Sequence, residues 1–297
     1  MTTFKNMVDD TIFSLSGYGL RQDNLTYAPS SIGAADTSIV VASADTMGKG
    51  AIEIDDELIW VDSFDRSTGT LTIPPYGRGY SGTTAAAHTA NSKVVINPTY
   101  TRGMVKKAVN DTILAVYPML YSIGTTTFTY LPAVNTYALP SNVKSVLSVT
   151  WQTIGPSKEW LPVRKWRSDS MANTTAFGSS NTLTVNSLIV PGRTVQVTYM
   201  YEPSQLVNDA DDFNTVSGLP ESTRDVIVLG AAYRLLSFIE PARLSFSSPE
   251  ADVQSGKIQY GSGTNVVKYV YALYQQRLQD EANKLLDRFP VRVHYSN

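Results

Sequence analysis

The chain has 297 residues, a formal net charge of −2, two histidines and no cysteine. The missing cysteines exclude disulfides, thiolate catalysis, iron–sulfur clusters and Cys-based zinc sites, and two histidines do not make a His-rich metal site. The balanced charge excludes a global field that draws the chain onto nucleic acid, and no run approaches the roughly 18 apolar residues of a membrane span.

The opening MTTFKNMVDD carries acidic residues and no long apolar run, so no secretory leader is expected. Residues 3–17 predict a short amphipathic helix. Phe4, Val8, Ile12 and Leu15 recur at helical spacing, and Gly17 and Gly19 end it. Residues 25–98 read as β. In "AIEIDDELIWVD", Ile52 and Ile54 alternate with polar residues, Asp55-Asp56 turn, and Leu58 and Trp60 alternate back. "STGTLTI" adds a turn and a strand, and "KVVIN" a strand that stops before Pro98. Such short strands suggest a small barrel or sandwich.

Helical period returns over 100–121, with Val105, Ala108, Thr112, Ile113 and Val116 on one face and Pro118 ending or kinking it. The sextet VDDTIF (8–13) is echoed by VNDTIL (109–114), which is either coincidence or a pair of equivalent packing positions. Residues 125–203 are short alternating runs split by Pro, Gly and Asn, a second sandwich-like unit. Residues 204–218 read as an acidic loop. Its Asp209, Asp211 and Asp212 lack the Gly and distal Glu of an EF-hand.

A helix follows over 220–241, with Pro220 and Glu221 in its first turn, small Gly230-Ala231-Ala232 mid-way and Pro241 as its stop. After a polar loop (242–264), the longest helix spans 264–288 with Thr264 as N-cap. Val267, Val270, Tyr271, Tyr274, Leu278, Leu285 and Leu286 form its apolar face, and Arg277–Glu281 and Asp280–Lys284 are ion pairs. Pro290 forces an extended tail in which Val291, Val293 and Tyr295 alternate with Arg292 and His294. That pattern suits addition to another chain's sheet edge.

The fold class is therefore α+β: a helical layer carrying a small β-barrel-like insertion and a β-sandwich-like domain. Its expected parts are helices at 1–22, 100–122 and 205–288, β units at 23–99 and 123–204, and an arm at 289–297.

Gly77-Arg78-Gly79-Tyr80-Ser81-Gly82 is a literal GxGxxG. A dinucleotide site would need a buried strand before it, a helix after it and an acid some 20 residues on. Pro74-Pro75 precede it, strand residues follow, and the next acid after Asp65 is Asp111. Gly77, Gly79 and Gly82 are instead expected to make a turn between strands, with His88 a structural hydrogen-bonding residue. No P-loop and no GxSxG elbow is present, and Asp55-Asp56 lie at a turn. No catalytic, metal or cofactor constellation assembles, so the chain is expected not to be an enzyme. Residues 66–110 contain no acid but include Arg78, Arg102, Lys106 and Lys107. Arg102, Lys106 and Lys107 are candidates to face DNA or a neighbouring subunit.

The block Glu57, Leu71-Thr72-Ile73, Arg78-Gly79, Gly82-Thr83, Ala86-Ala87-His88 and Val94 resembles a motif of tailed-phage virion proteins. Tyr137-Xaa-Leu139-Pro140, Tyr199 with Pro203, and a Leu-rich helix with Arg234 and Glu240 extend the likeness. The departure is Asn91-Ser92, where a Gly is common. The whole resembles the head-to-tail adaptor (connector) proteins of tailed bacteriophages, with inserted β domains. That resemblance implies a virion neck protein assembled in the bacterial cytoplasm as a homo-oligomeric ring, usually dodecameric. The ring would join the phage portal protein to the tail or a further neck protein and continue the channel for double-stranded DNA. It also implies an arm, Phe289, Pro290, Val291, Arg292, Val293, His294 and Tyr295, that engages a partner. The alternative is a tail or baseplate structural protein whose second β unit presents Trp151, Trp160 and Trp166 to carbohydrate. A packaging nuclease would need clustered acidic metal ligands on strands, and the sequence offers none.

Overall fold

The computed structural model describes residues 1–17, 23–155, 158–244 and 262–288. The fold is α+β: the described residues form five α-helices and four small antiparallel sheets. In chain order the elements are α1 (Phe4–Ser16), β1 (Asn24–Tyr27), β2 (Ser38–Val40), β3 (Gly50–Ile54), β4 (Glu57–Val61), β5 (Ser63–Asp65), β6 (Thr70–Thr72), β7 (Lys93–Ile96) and α2 (Arg102–Ala115). Then come β8 (Ser122–Thr129), β9 (Thr136–Ala138), β10 (Ser145–Gln152), β11 (Trp160–Pro162), β12 (Trp166–Asp169), β13 (Thr182–Val185), β14 (Thr194–Tyr201), α3 (Phe213–Ser217), α4 (Arg224–Leu244) and α5 (Ser262–Arg288). Packing divides the chain into two compact units, one of residues 6–109 and 228–271, the other of 1–5, 110–227 and 272 onward.

In the first unit, the sheets β1-β7-β3-β4 and β2-β6-β5 close on one apolar core that includes Ile39, Ile52, Ile54, Ile59, Leu71 and Val94. Among the described residues these sheets do not close into a barrel. The hairpin turn falls at Asp55-Asp56 as expected, with Asp55 at φ 51, a backbone region that Asp tolerates. The inward row of β4 differs from the expectation. A two-residue turn sets Ile54 opposite Glu57 and Ile52 opposite Ile59, so Glu57, Ile59 and Val61 face the core. Leu58 and Trp60 lie on the other face with Glu53, where Trp60 meets the Tyr80 ring at 5.1 Å.

In the second unit, the sheets β11-β10-β14-β8 and β12-β13-β9 enclose a core of Val149, Leu183, Val185, Val195 and Val197. That is the sandwich the alternating runs predict. Asn181 fastens one end by donating from Nδ2 to the carbonyls of Pro140, Ser141 and Val143. The acidic stretch 204–218 is not all loop, because Phe213–Ser217 form α3. Asp212 caps that helix by accepting from the Thr215 N–H at 3.1 Å, and Gly218 closes it at φ 74. Asp211 accepts from the N–H groups of Val207 and Asn208. These carboxylates serve the backbone. Among the described residues no group of three or more acids and histidines is placed to hold a metal ion.

The helices follow their periods with local corrections. Val105, Ala108, Thr112 and Ile113 of α2, and Val116 just after it, are all buried. The sextet echo has a physical counterpart: Val8 and Val109, and Thr11 and Thr112, are fully buried, while Phe13 and Leu114 are both exposed. Pro241 does not stop α4, which runs to Leu244. A proline near a helix end removes one main-chain donor, and the remaining turns hold. Thr264 lies inside α5, which begins at Ser262. The buried row of α5 is Val270, Tyr274, Leu278, Glu281, Ala282 and Leu285; Tyr271 and Leu286, expected on that face, are exposed. Arg277 does pair with Glu281, and Lys284 reaches Glu281 at 2.5 Å. Buried Glu281 also accepts from Ser222 Oγ at 2.8 Å, so one carboxylate gathers three donors. Most of the expected polar loop and the whole C-terminal arm lie outside the described residues. Among the described residues no helix is long and apolar enough to cross a membrane.

Candidate functional site

Among the described residues a dense polar cluster surrounds Glu57, at the turn end of β4's inward row. Its side chain is 1% exposed. Arg78 Nε and Nη2 donate to its two oxygens at 2.8 and 2.9 Å, a two-pronged pairing. The Gly79 and Ala86 N–H groups donate at 3.0 and 3.1 Å. His88 Nε2 contacts Oε2 at 2.8 Å. Burial alone would raise the carboxyl, but the bonds from Arg78, Ala86, Gly79 and His88 outweigh it and lower the pKa to about 2.

Arg78 is equally occupied. Nη1 donates to the carbonyls of Gly33 and Asp36, and Nη2 also donates to that of Ala86. All five guanidinium hydrogens thus have acceptors, and one side chain ties the 33–36 segment, β4 and the 79–88 loop together. His88 lies between two carboxylates, with Nδ1 2.9 Å from Asp55 and Nε2 2.8 Å from Glu57. Because carboxylates only accept, both contacts are hydrogen bonds when the ring carries both protons. The His88 backbone exchanges two hydrogen bonds with Ile32, each 2.9 Å.

The glycines shape the loop. A Cβ at Gly77 would lie 2.7 Å from the Trp60 carbonyl oxygen, which is the close approach that lets the Gly77 carbonyl accept from the Trp60 N–H. Gly79 sits at φ 60 and Gly82 at φ 85, with Ser81 at φ 56 between them. Thr83 Oγ1 accepts from the Leu58 N–H, so the loop covers the outer edge of β4. The GxGxxG therefore wraps a carboxylate of its own chain.

A second cluster fixes the start of α2. Glu53, on the outward face of β3 yet only 4% exposed, accepts from the Arg102 backbone N–H at 2.7 Å. Burial dominates there and raises its pKa to about 7, despite that bond and the nearby Arg102 charge. The Arg102 guanidinium pairs with Asp9 at 2.5 Å and Asp56 at 3.4 Å, and Lys106 pairs with Asp56 at 2.7 Å. Burial of Asp56 works against its charge, but Lys106 and Arg102 hold its carboxyl below the usual range. Of the three candidate basic residues, Arg102 and Lys106 are thus held by acids of their own unit, and Lys107 is exposed.

Sequence reasoning places Gly77, Gly79, Gly82 and His88 in one neighbourhood. It misses Glu57 as the hub and Glu53 and Asp55 as partners. A partial signal existed: Asp55-Asp56-Glu57 is a run of three acids a short way before the acid-free, basic stretch 66–110. The three tryptophans do not form one aromatic face. Trp151 and Trp166 pack against the sandwich core, and Trp160 is exposed.

Residues 83–292 match the sequence family described as SU10 adaptor protein. The matched span takes in Thr83, Ala86 and His88, α2, the second β unit and the C-terminal helices, well over half of the chain. No curated protein matches the chain.

Proposed function

The chain belongs to the SU10 adaptor protein family, and from its place there as a phage structural adaptor we propose that it forms the head-to-tail connector ring. In this reading a homo-oligomer, dodecameric as in related connectors, docks under the portal, receives the tail or a further neck protein and continues the DNA channel. The helical segments 1–22, 100–122 and 205–288 form the body of the ring, and the β units 23–99 and 123–204 are insertions into it.

The family match over 83–292 carries this reading. Surface chemistry supports it. Phe13 is 81% exposed, and Met171, Leu188 and Val207 are also open to solvent, so apolar side chains are available for neighbours. Each subunit in a ring needs two different, mutually complementary faces. Exposed Lys107, whose neighbours Arg102 and Lys106 are already neutralised, is the candidate contact for DNA or a neighbouring subunit, without sequence specificity.

Mixing the purified chain with the portal protein of the same phage tests the proposal by sedimentation. Comigration of a multi-subunit particle with the portal is expected. A chain that stays monomeric and leaves the portal free overturns it.

A further inference from the structure

A surface depression of about 430 Å³ opens at one end of the β11-β10-β14-β8 sheet. Tyr121 lines it just before β8, Tyr201 at the end of β14, Asn214 and Pro220 in α3 and after it, and Arg288 at the end of α5. All five belong to the second unit.

The tyrosine hydroxyls in this wall are not used by the fold. Tyr121 is only 7% exposed, yet among the described residues its hydroxyl has no hydrogen-bond partner. Burial raises its pKa, and no bond opposes the shift. Its oxygen is not sealed off, so a ligand in the depression reaches it. The Tyr201 hydroxyl likewise makes no hydrogen bond among the described residues. It sits over Gly218, where an added Cβ would come within 2.5 Å of it. Buried polar groups are nearly always hydrogen-bonded, so a phenol left unpaired in the wall of a depression points to a ligand. Asn214 Nδ2 donates to the Leu219 carbonyl at 2.7 Å, which leaves Oδ1 as an acceptor. Arg288 brings a guanidinium to the rim, with more N–H donors than a single acceptor can take.

We propose that this depression binds an acidic side chain, Glu or Asp, of an extended peptide segment in a partner protein. The Tyr121 and Tyr201 hydroxyls donate to the carboxylate, and Arg288 supplies the opposite charge. Asn214 Oδ1 accepts a peptide N–H, and Pro220 and the tyrosine rings take the neighbouring apolar side chain. One guanidinium matches one negative charge. Asp212, which accepts from Thr215 Oγ1, and Glu221, beside Pro220, repel a doubly charged phosphate more than a carboxylate. The inference stands whether or not the chain forms a ring.

The full chain is irradiated with a capped, amidated tetrapeptide carrying one Glu followed by photoreactive benzoylphenylalanine, and the adducts are mapped by peptide mass. Adducts are expected near Tyr121, Asn214 or Pro220, about tenfold more than with the Gln counterpart. Tyr121→Phe removes only the hydroxyl and should lower labelling about tenfold. Arg288→Gln should lower it about threefold, with Arg288→Lys recovering part of the loss. Arg288 is exposed, so its variants keep the test valid if Tyr121→Phe loosens the fold. Equal labelling by the Glu and Gln peptides, adducts elsewhere, or labelling unchanged in Tyr121→Phe or Arg288→Gln overturns the proposal. Stronger competition by inorganic phosphate than by acetate assigns the site to phosphate and overturns it as well. Particle mass measured on the same samples reports the ring separately.

Discussion

The two β units reach closed cores by opposite means. In 6–109, small sheets are held by acidic and basic side chains: buried Glu57, Arg78 and His88 join three backbone segments, and buried Glu53 and exposed Asp56 fix the start of α2. In 110–227, longer strands share a core of Val and Leu side chains, and the polar fasteners are neutral, such as Asn181. Strand length accounts for the contrast. β2, β5 and β6 have three residues each and pair few apolar side chains, whereas β8, β10 and β14 have eight. The charged clamp supplies cross-links that short ladders lack, and the long ladders bury an apolar core of their own.

The largest effect that sharpens this contrast is expected from Glu57→Ala. It strands the Arg78 charge in a buried site and should cost about 3–5 kcal/mol in denaturant unfolding. Hydrogen exchange should rise in β3 and β4 before β10 and β14. Equal loosening of both units breaks the contrast. Leu183→Ala, in the apolar core, should cost about 2–4 kcal/mol and loosen β13 and β10 first. Gly79→Ala should cost about 1–2 kcal/mol, because Gly79 holds φ 60 and an added Cβ would sit 2.8 Å from the Thr83 carbonyl oxygen.

A further effect is a pH dependence led by two glutamates of the clamped unit. Glu53 is raised from 4.5 to about 7, so it holds its proton more tightly when folded. Its contribution is complete below pH 4.5 and lost as pH rises to 7. Glu57 is lowered to about 2, so its contribution is complete above pH 4.5 and lost as pH falls toward 2. Glu53→Gln should flatten the 4.5–7 limb of a stability–pH curve, keep the acid limb and raise stability at pH 8. An unchanged slope between 4.5 and 7 would remove Glu53 from the account.

Period and turn chemistry made much of this fold legible. The α2 face, the Asp55-Asp56 hairpin and most strands of the second unit can be read from local sequence, because each depends on neighbours a few residues away. The inward row of β4 was missed although parity decides it: a two-residue turn makes Ile54 face Glu57, and the row then continues to Ile59. A glutamate at a core-facing position reads as an error until its partner is known, and Arg78 lies 21 residues on. Helix α3 was hidden for a related reason. Its five residues are too few to show a period, and Asp212, read as part of an acidic loop, is its cap. The turn role expected of Gly77, Gly79 and Gly82 comes from backbone geometry that glycine advertises; the carboxylate they wrap does not.

Imaging the purified chain in negative stain, alone and with the portal protein of its phage, tests the adaptor reading most directly. Class averages showing a ring with a central hole, seated coaxially on the portal, are the predicted result. Solitary subunits or a rod-like trimer with no portal contact would contradict it.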